Sequence, residues 1–244
     1  MTEHSRADIR ETVHGSATSI PAAFWLHFRN DYLAGDAAAR EHLRFVLDTE
    51  TDIVKLMNEH PYPFSHDMSS PQGWARVPRM TPSDAWFREQ VDDVKRAVDL
   101  VDGQKPVIAT VFGPVAASYH TGRGQDEVFR GAGPVGRPDP ELDRLRIGAH
   151  LAAEPALVDG VLDMIADLTA ELASQFLQAG AGGIYYSAWG GERRMMTDEQ
   201  FETHVKPKDL RVLEAVSGAT VFNVLHICKP DTDLTRYRDY RPQV

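Results

Sequence analysis

Val221-Phe222-Asn223-Val224-Leu225-His226-Ile227-Cys228-Lys229 is the stretch from which the rest of the chain is read. Val221, Phe222, Val224 and Leu225 form a short run of β-branched, aromatic and aliphatic residues. It is entered from Ser217-Gly218 and left through Pro230, which is the pattern of a buried strand. His226 and Cys228 stand at its C-terminal end. Alternation in a strand puts residues two apart on the same face. An imidazole and a thiolate on one face are two of the four ligands of a tetrahedral zinc site. Taken alone, the pair reads more simply as a packed histidine and a small buried cysteine, and its position in the chain is what raises the metal reading.

Outward from this strand, apolar runs alternate with helical patterns. The expected strands are Ile20–Phe28, Asp52–Met57, Val107–Phe112, Gly183–Ser187 and Val221–Leu225. The expected helices begin at Asp36, at Thr81-Pro82-Ser83-Asp84, at Glu154-Pro155 and at the capping box Thr197-Asp198-Glu199-Gln200. Val158, Val161, Ile165, Leu168, Leu172 and Phe176 make one continuous apolar stripe on the third of these. Pro207 predicts a kink in the fourth, and Asp231 to Tyr240 reads as a short helix. His60–Phe64 and Thr121–Pro140 read as loops, the second of them near the site. Strands alternating with helices predict parallel βα units with right-handed crossovers, an α/β fold.

Composition narrows the function. The 244 residues suffice for a single α/β barrel, and the net charge of −10 with no basic run argues against a nucleic-acid partner. No apolar run is long enough for a membrane span. The polar stretch Met1–Ala17 has no apolar core of a secretory signal, and the single cysteine excludes an internal disulfide. A cytoplasmic, small-molecule protein is expected, with residues 1–19 as a flexible tail and 20–244 as the barrel domain. In barrels of this kind the chemistry sits where strands end and βα loops begin. His27, Asn58, Tyr119, Trp189, His226 and Cys228 all fall at or just past expected strand ends.

Several segments resemble the uroporphyrinogen decarboxylase superfamily. Tyr186-Ser187-Ala188-Trp189-Gly190-Gly191 is similar to its Phe-Asp-Ser-Trp-Ala-Gly. Phe201 and Pro207 fit its Phe…Pro-Tyr helix, and Gly113-Pro114 through Tyr119 resembles its Gly-x-Pro…Tyr segment. His226-Ile227-Cys228 is similar to the His-x-Cys of its methyltransferase branch. The resemblance implies a (β/α)8 TIM barrel. It implies Asn58 and Tyr119 as catalytic residues, and His27, Arg29, Tyr32, Tyr186, Ser187 and Trp189 as substrate-binding residues. It implies His226 and Cys228 as metal ligands. It admits a homodimer.

The departures separate the branches. His27-Phe28-Arg29-Asn30-Asp31 stands where the decarboxylase carries Arg-Gln-Ala-Gly-Arg, whose arginines bind substrate carboxylates. Asn58 stands where it needs an aspartate, and an amide supplies hydrogen bonds without counter-charge. Zinc-assisted methyl transfer from a methylated corrinoid, or a corrinoid protein, to a thiol therefore fits better. The methyltransferase branch takes its third ligand from a second cysteine, and this chain has one cysteine. The alternatives are a decarboxylase of porphyrin biosynthesis, which needs no cofactor, and a non-catalytic tetrapyrrole-binding barrel. About five βα units are expected against the eight of a closed barrel, so the fold is read as C-terminally incomplete.

Overall fold

The computed structural model describes residues 21–28, 30–58, 60, 62, 70–123, 140–219, 221–228 and 231–242. Its centre is a four-stranded, all-parallel sheet in the order β1-β2-β3-β4, with β1 Val54–Leu56, β2 Val107–Phe112, β3 Gly183–Ala188 and β4 Val224–Ile227. The helices are α1 Gly35–Thr49, α2 Ala85–Val101, α3 Pro114–Arg123, α4 Pro140–Ala153, α5 Pro155–Gln178 and α6 Lys206–Ala215. Sequential parallel strands joined through helices are the βα repeat of a TIM-barrel-like fold. Among the described residues, no helix is long and apolar enough to cross a membrane.

The first expected strand is not formed. Residues 21–28 run extended beside β1 without joining the ladder. Asp52 holds them instead: its amide donates to the Ala22 carbonyl (2.9 Å), and the Ala22 amide donates to its carboxylate (2.8 Å). The tail at residues 1–19 lies outside the described residues.

The last strand starts at Val224 rather than Val221, and Asn223 is the reason. Its Oδ1 accepts from the Ile184 amide (3.0 Å) and its Nδ2 donates to the Val216 carbonyl (2.7 Å). A side-chain amide thus takes a bond that the ladder would otherwise make. Phe222 comes so near β3 at this point that a Cβ on Gly183 would lie 1.7 Å from its carbonyl oxygen. Only a residue without a side chain fits there.

Helix starts also shifted. Asp84, not Thr81, is the N-cap of α2, because its carboxylate is taken by the amide and hydroxyl of Thr81 in the preceding turn (both 2.7 Å). The capping box at Thr197–Gln200 is formed as expected. The kink near Pro207 takes the form of a π-helical turn, Phe201–Val205, ahead of α6, since Pro207 offers no N–H to the regular ladder. The C-terminal helix is a single 3-10 turn, Leu234–Tyr237. Of the expected loop Thr121–Pro140, residues 121–123 complete α3 and Pro140 opens α4.

Strand alternation divides the sheet into two faces. Val54, Leu56, Val107, Ala109, Val111, Ile184, Tyr186 and Ala188 join the large core under the helices. Val158, Leu162, Ile165, Leu172 and Phe176 supply the α5 side of that core, with Val161 only partly buried. The opposite face is the inner face of the barrel curvature. There Ile53, Ile108, Tyr185, Val221 and Phe222 form a second cluster with Ala23 and Val224.

Candidate functional site

The inner face carries the chemistry-bearing side chains of β4. His226 shares it with Tyr185 of β3, while Cys228, just past the strand end, packs against the large helix-side core and acts electrostatically on the Tyr185 phenol. The rings of Tyr185 and His226 lie 5.0 Å apart, tilted by 30°. Trp25 reaches the same place from the extended segment, 5.2 Å from the Tyr185 ring and 5.8 Å from His226. Register places Ser187 beside His226 across the β3–β4 pair.

A buried cation stands in this group. Lys55, on β1, is only 3% exposed. Its Nζ lies 4.3 Å from the centre of the Tyr185 ring and 4.6 Å from that of Trp25, and it donates to the Met57 sulfur. Ring faces carry negative potential, so two of them offset part of the cost of burying an ammonium. Burial, and next the Cys228 sulfur, hold the Tyr185 phenol above its ordinary range, so this ring presents a neutral hydroxyl.

The expected site residues divide between places. His226 and Ser187 share the inner face, and Cys228 packs against the helix-side core. Tyr186 does not: as the next residue along β3 it turns to the helices, is fully buried, and donates to Asp209 (2.6 Å). Tyr240 donates to the other oxygen of that carboxylate (2.8 Å). Asp209 is buried, and burial pushes its carboxyl up to about 7 against the opposing pull of these two bonds. Tyr186 is therefore a core hydrogen-bond donor rather than a substrate contact. The ring that faces the site is Tyr185, one position earlier.

Trp189 is buried among the helix-side core residues. His27 is exposed on the extended segment, and Tyr32 is exposed in the 3-10 turn Asn30–Tyr32 that follows. Tyr119 lies in α3, with its side chain outside the described part, and Arg29 is outside it altogether.

Asn58 lies two residues past the end of β1, in a cleft between α1, α2 and the ends of β1 and β2. Its Nδ2 donates to Gln90 Oε1 (2.6 Å), and its Oδ1 accepts from the His60 amide (2.9 Å). A wall of this cleft is made by His42. Its Nε2 accepts from the Met57 amide (3.0 Å) and its Nδ1 donates to the Ala38 carbonyl (2.8 Å), which fixes a neutral Nδ1–H tautomer. The amide of Asn58 is thus engaged with α2 and its own loop.

Comparison with known proteins agrees with this architecture. Residues 139–239 match the family model Uroporphyrinogen decarboxylase (URO-D). That segment, less than half of the chain, is similar to this family. It runs from the start of α4 past the C-terminal 3-10 turn and contains β3, β4, Tyr185, His226 and Cys228. A solved structure, a methyltransferase from Methanosarcina mazei, superposes with a TM-score of 0.60 at 11% sequence identity, covering 95% of this chain and 71% of that chain. Identity that low establishes a shared fold. No curated protein sequence matches the chain.

Sequence reading missed Lys55, Trp25 and Tyr185. A lysine inside the apolar run Ile53-Val54-Lys55-Leu56 is the signal that was there to find, because a charge in a buried strand needs a partner.

Proposed function

We propose that the inner face serves methyl transfer from a methylated corrinoid to a thiol, as in the methyltransferase branch of the uroporphyrinogen decarboxylase superfamily. His226 and Cys228 act as two protein ligands of a zinc ion. The observation that supports this reading is the place of His226 beside Tyr185, Trp25 and Lys55, with the Cys228 sulfur near enough to act on the Tyr185 phenol. Imidazole and thiolate are donors that zinc selects. A catalytic zinc takes three protein ligands, and among the described residues no group of three His, Cys, Asp or Glu side chains is placed to hold a metal. The third donor therefore has to come from outside the described residues. When bound, zinc would hold the acceptor thiol as a thiolate. In this reading the stacked Tyr185 ring orients the His226 imidazole, Trp25 covers it, and Lys55 gives an anionic group of the acceptor a positive charge to face.

A second reading, decarboxylation of a carboxylated tetrapyrrole, draws on the same Lys55, since a buried cation suits a substrate carboxylate. Metal content separates the two. Zinc-loaded protein should retain stoichiometric zinc after dialysis, and Cys228→Ser should lose it, because the thiolate is the strong ligand. Equal zinc in both proteins would sink the methyl-transfer reading. Metal-free protein that still binds a carboxylated tetrapyrrole would favour the second.

A further inference from the structure

The helix-side cleft at the end of β1 contains a histidine–carboxylate pair that the inner-face site does not use. His60 Nε2 lies 3.0 Å from Asp93 Oδ2 on α2. The other oxygen of Asp93 accepts from the Gly35 amide (2.7 Å) and from Arg96 (3.0 Å). Every lone pair in that arrangement is directed: Asp93 accepts only, so Nε2 of His60 carries the proton and Nδ1 carries the lone pair. Among the described residues Nδ1 has no hydrogen-bond partner, and the ring is 15% exposed. A carboxylate that fixes one ring nitrogen and leaves the other as an acceptor is the arrangement of a general base.

The surroundings fit a small aromatic ligand. The cleft has two lobes, and Asn58, His60 and Gln90 line both. The second lobe is walled by Tyr62 and Trp86, whose rings lie 5.2 Å apart at 57°. Asn58 Nδ2 spends one hydrogen on Gln90, and its second is unspent among the described residues.

We propose that this cleft binds a phenol-type ligand, a weakly acidic aromatic hydroxyl, with His60 as its proton acceptor and Asp93 as the positioning residue. The ring packs against Tyr62 and Trp86. The ligand O–H bond breaks, its proton passes to His60 Nδ1, and the phenolate oxygen remains beside the Asn58 amide hydrogen. The imidazolium so formed lies against the Asp93 carboxylate. The other charged or titratable groups facing the pair are Arg96, its partner Asp36 at 3.4 Å, His42 in the opposite wall, and Tyr62, whose phenol is held above its ordinary range by burial. The inference goes beyond the methyl-transfer reading and does not depend on His226 or Cys228.

The test uses the full chain and p-nitrophenol, whose phenolate has its own visible absorption band. Wild type should bind it saturably and raise the phenolate fraction at a pH below the point where the free compound ionises. His60→Asn should bind it with a phenolate fraction on the order of tenfold lower, the ratio of one pH unit. Asp93→Asn should shift the pH profile of the band while binding persists. No saturable binding to wild type, or an unchanged band in His60→Asn, would overturn the proposal. A melting curve of His60→Asn matching wild type ties the loss to the imidazole rather than to the fold.

Discussion

Replacing Gly183 by alanine is expected to cost about 3 kcal/mol of stability or more, at the upper end of what overpacking does. The added methyl would sit 1.7 Å from the Phe222 carbonyl oxygen and 2.7 Å from its carbonyl carbon. Backbone, unlike the far end of a flexible side chain, has nowhere to turn. Relief requires parting β3 from the chain entering β4. That movement would strain the bond from the Asn223 side chain to the Ile184 amide and displace Phe222 from the inner-face cluster. Urea unfolding reads the effect as a lower midpoint. A midpoint equal to wild type would show that β3 and β4 are not packed as closely as described. The same displacement would shift His226 relative to Tyr185, so the variant should also weaken zinc retention.

The second large effect is a pH dependence centred on Asp209. Its carboxyl, buried with Tyr186 and Tyr240 on its oxygens, is pushed up to about 7, against an ordinary value of 3.8. Lys208, the adjacent cation, opposes that rise but is itself paired with Asp159 at 2.6 Å. A raised folded-state value means that the native state holds its proton longer than the unfolded chain does. The stability contributed by Asp209 is therefore fully present below about pH 4 and is lost as pH rises to about 7. Asp209→Asn keeps an acceptor for one tyrosine and offers the other a donor, yet cannot ionise. Relative to wild type it should gain stability between pH 4 and 8, on the order of 4 kcal/mol at most. Denaturation midpoints of both proteins across that range measure the difference. Parallel curves would mean that Asp209 does not titrate in this window.

Local signals carried most of the fold. The alternation of apolar runs with capped helices gave the βα order, and β2, β3 and α5 lie where periodicity put them. The Thr197–Gln200 box and the disturbance before Pro207 are written in a few adjacent residues, so they too were legible. What failed depended on partners far along the chain. Ile20–Phe28 has strand composition, but Asp52 holds it by a side-chain bond, and composition does not show which partner a segment finds. Asn223 delays β4 through Ile184, 39 residues away, and through Val216 at the end of the preceding helix.

The site was legible in part for the same reason. His226 and Cys228 were singled out by their spacing of two, and of the pair His226 lies beside Tyr185 on the inner face. Tyr186 was chosen over Tyr185 because a motif resemblance does not say which face a residue takes, and a one-residue change of register exchanges the faces. Lys55 and Trp25 meet only once β1 and the extended segment are side by side. His60 and Asp93 meet only once the loop after β1 lies on α2.

Zinc held by His226 and Cys228 is the central claim. X-ray absorption at the zinc edge of the zinc-loaded chain tests it most directly. The account predicts a sulfur neighbour at about 2.3 Å together with imidazole nitrogen at about 2.0–2.1 Å. In Cys228→Ser the sulfur signal should vanish. A zinc environment of nitrogen and oxygen alone in the wild-type protein would contradict it.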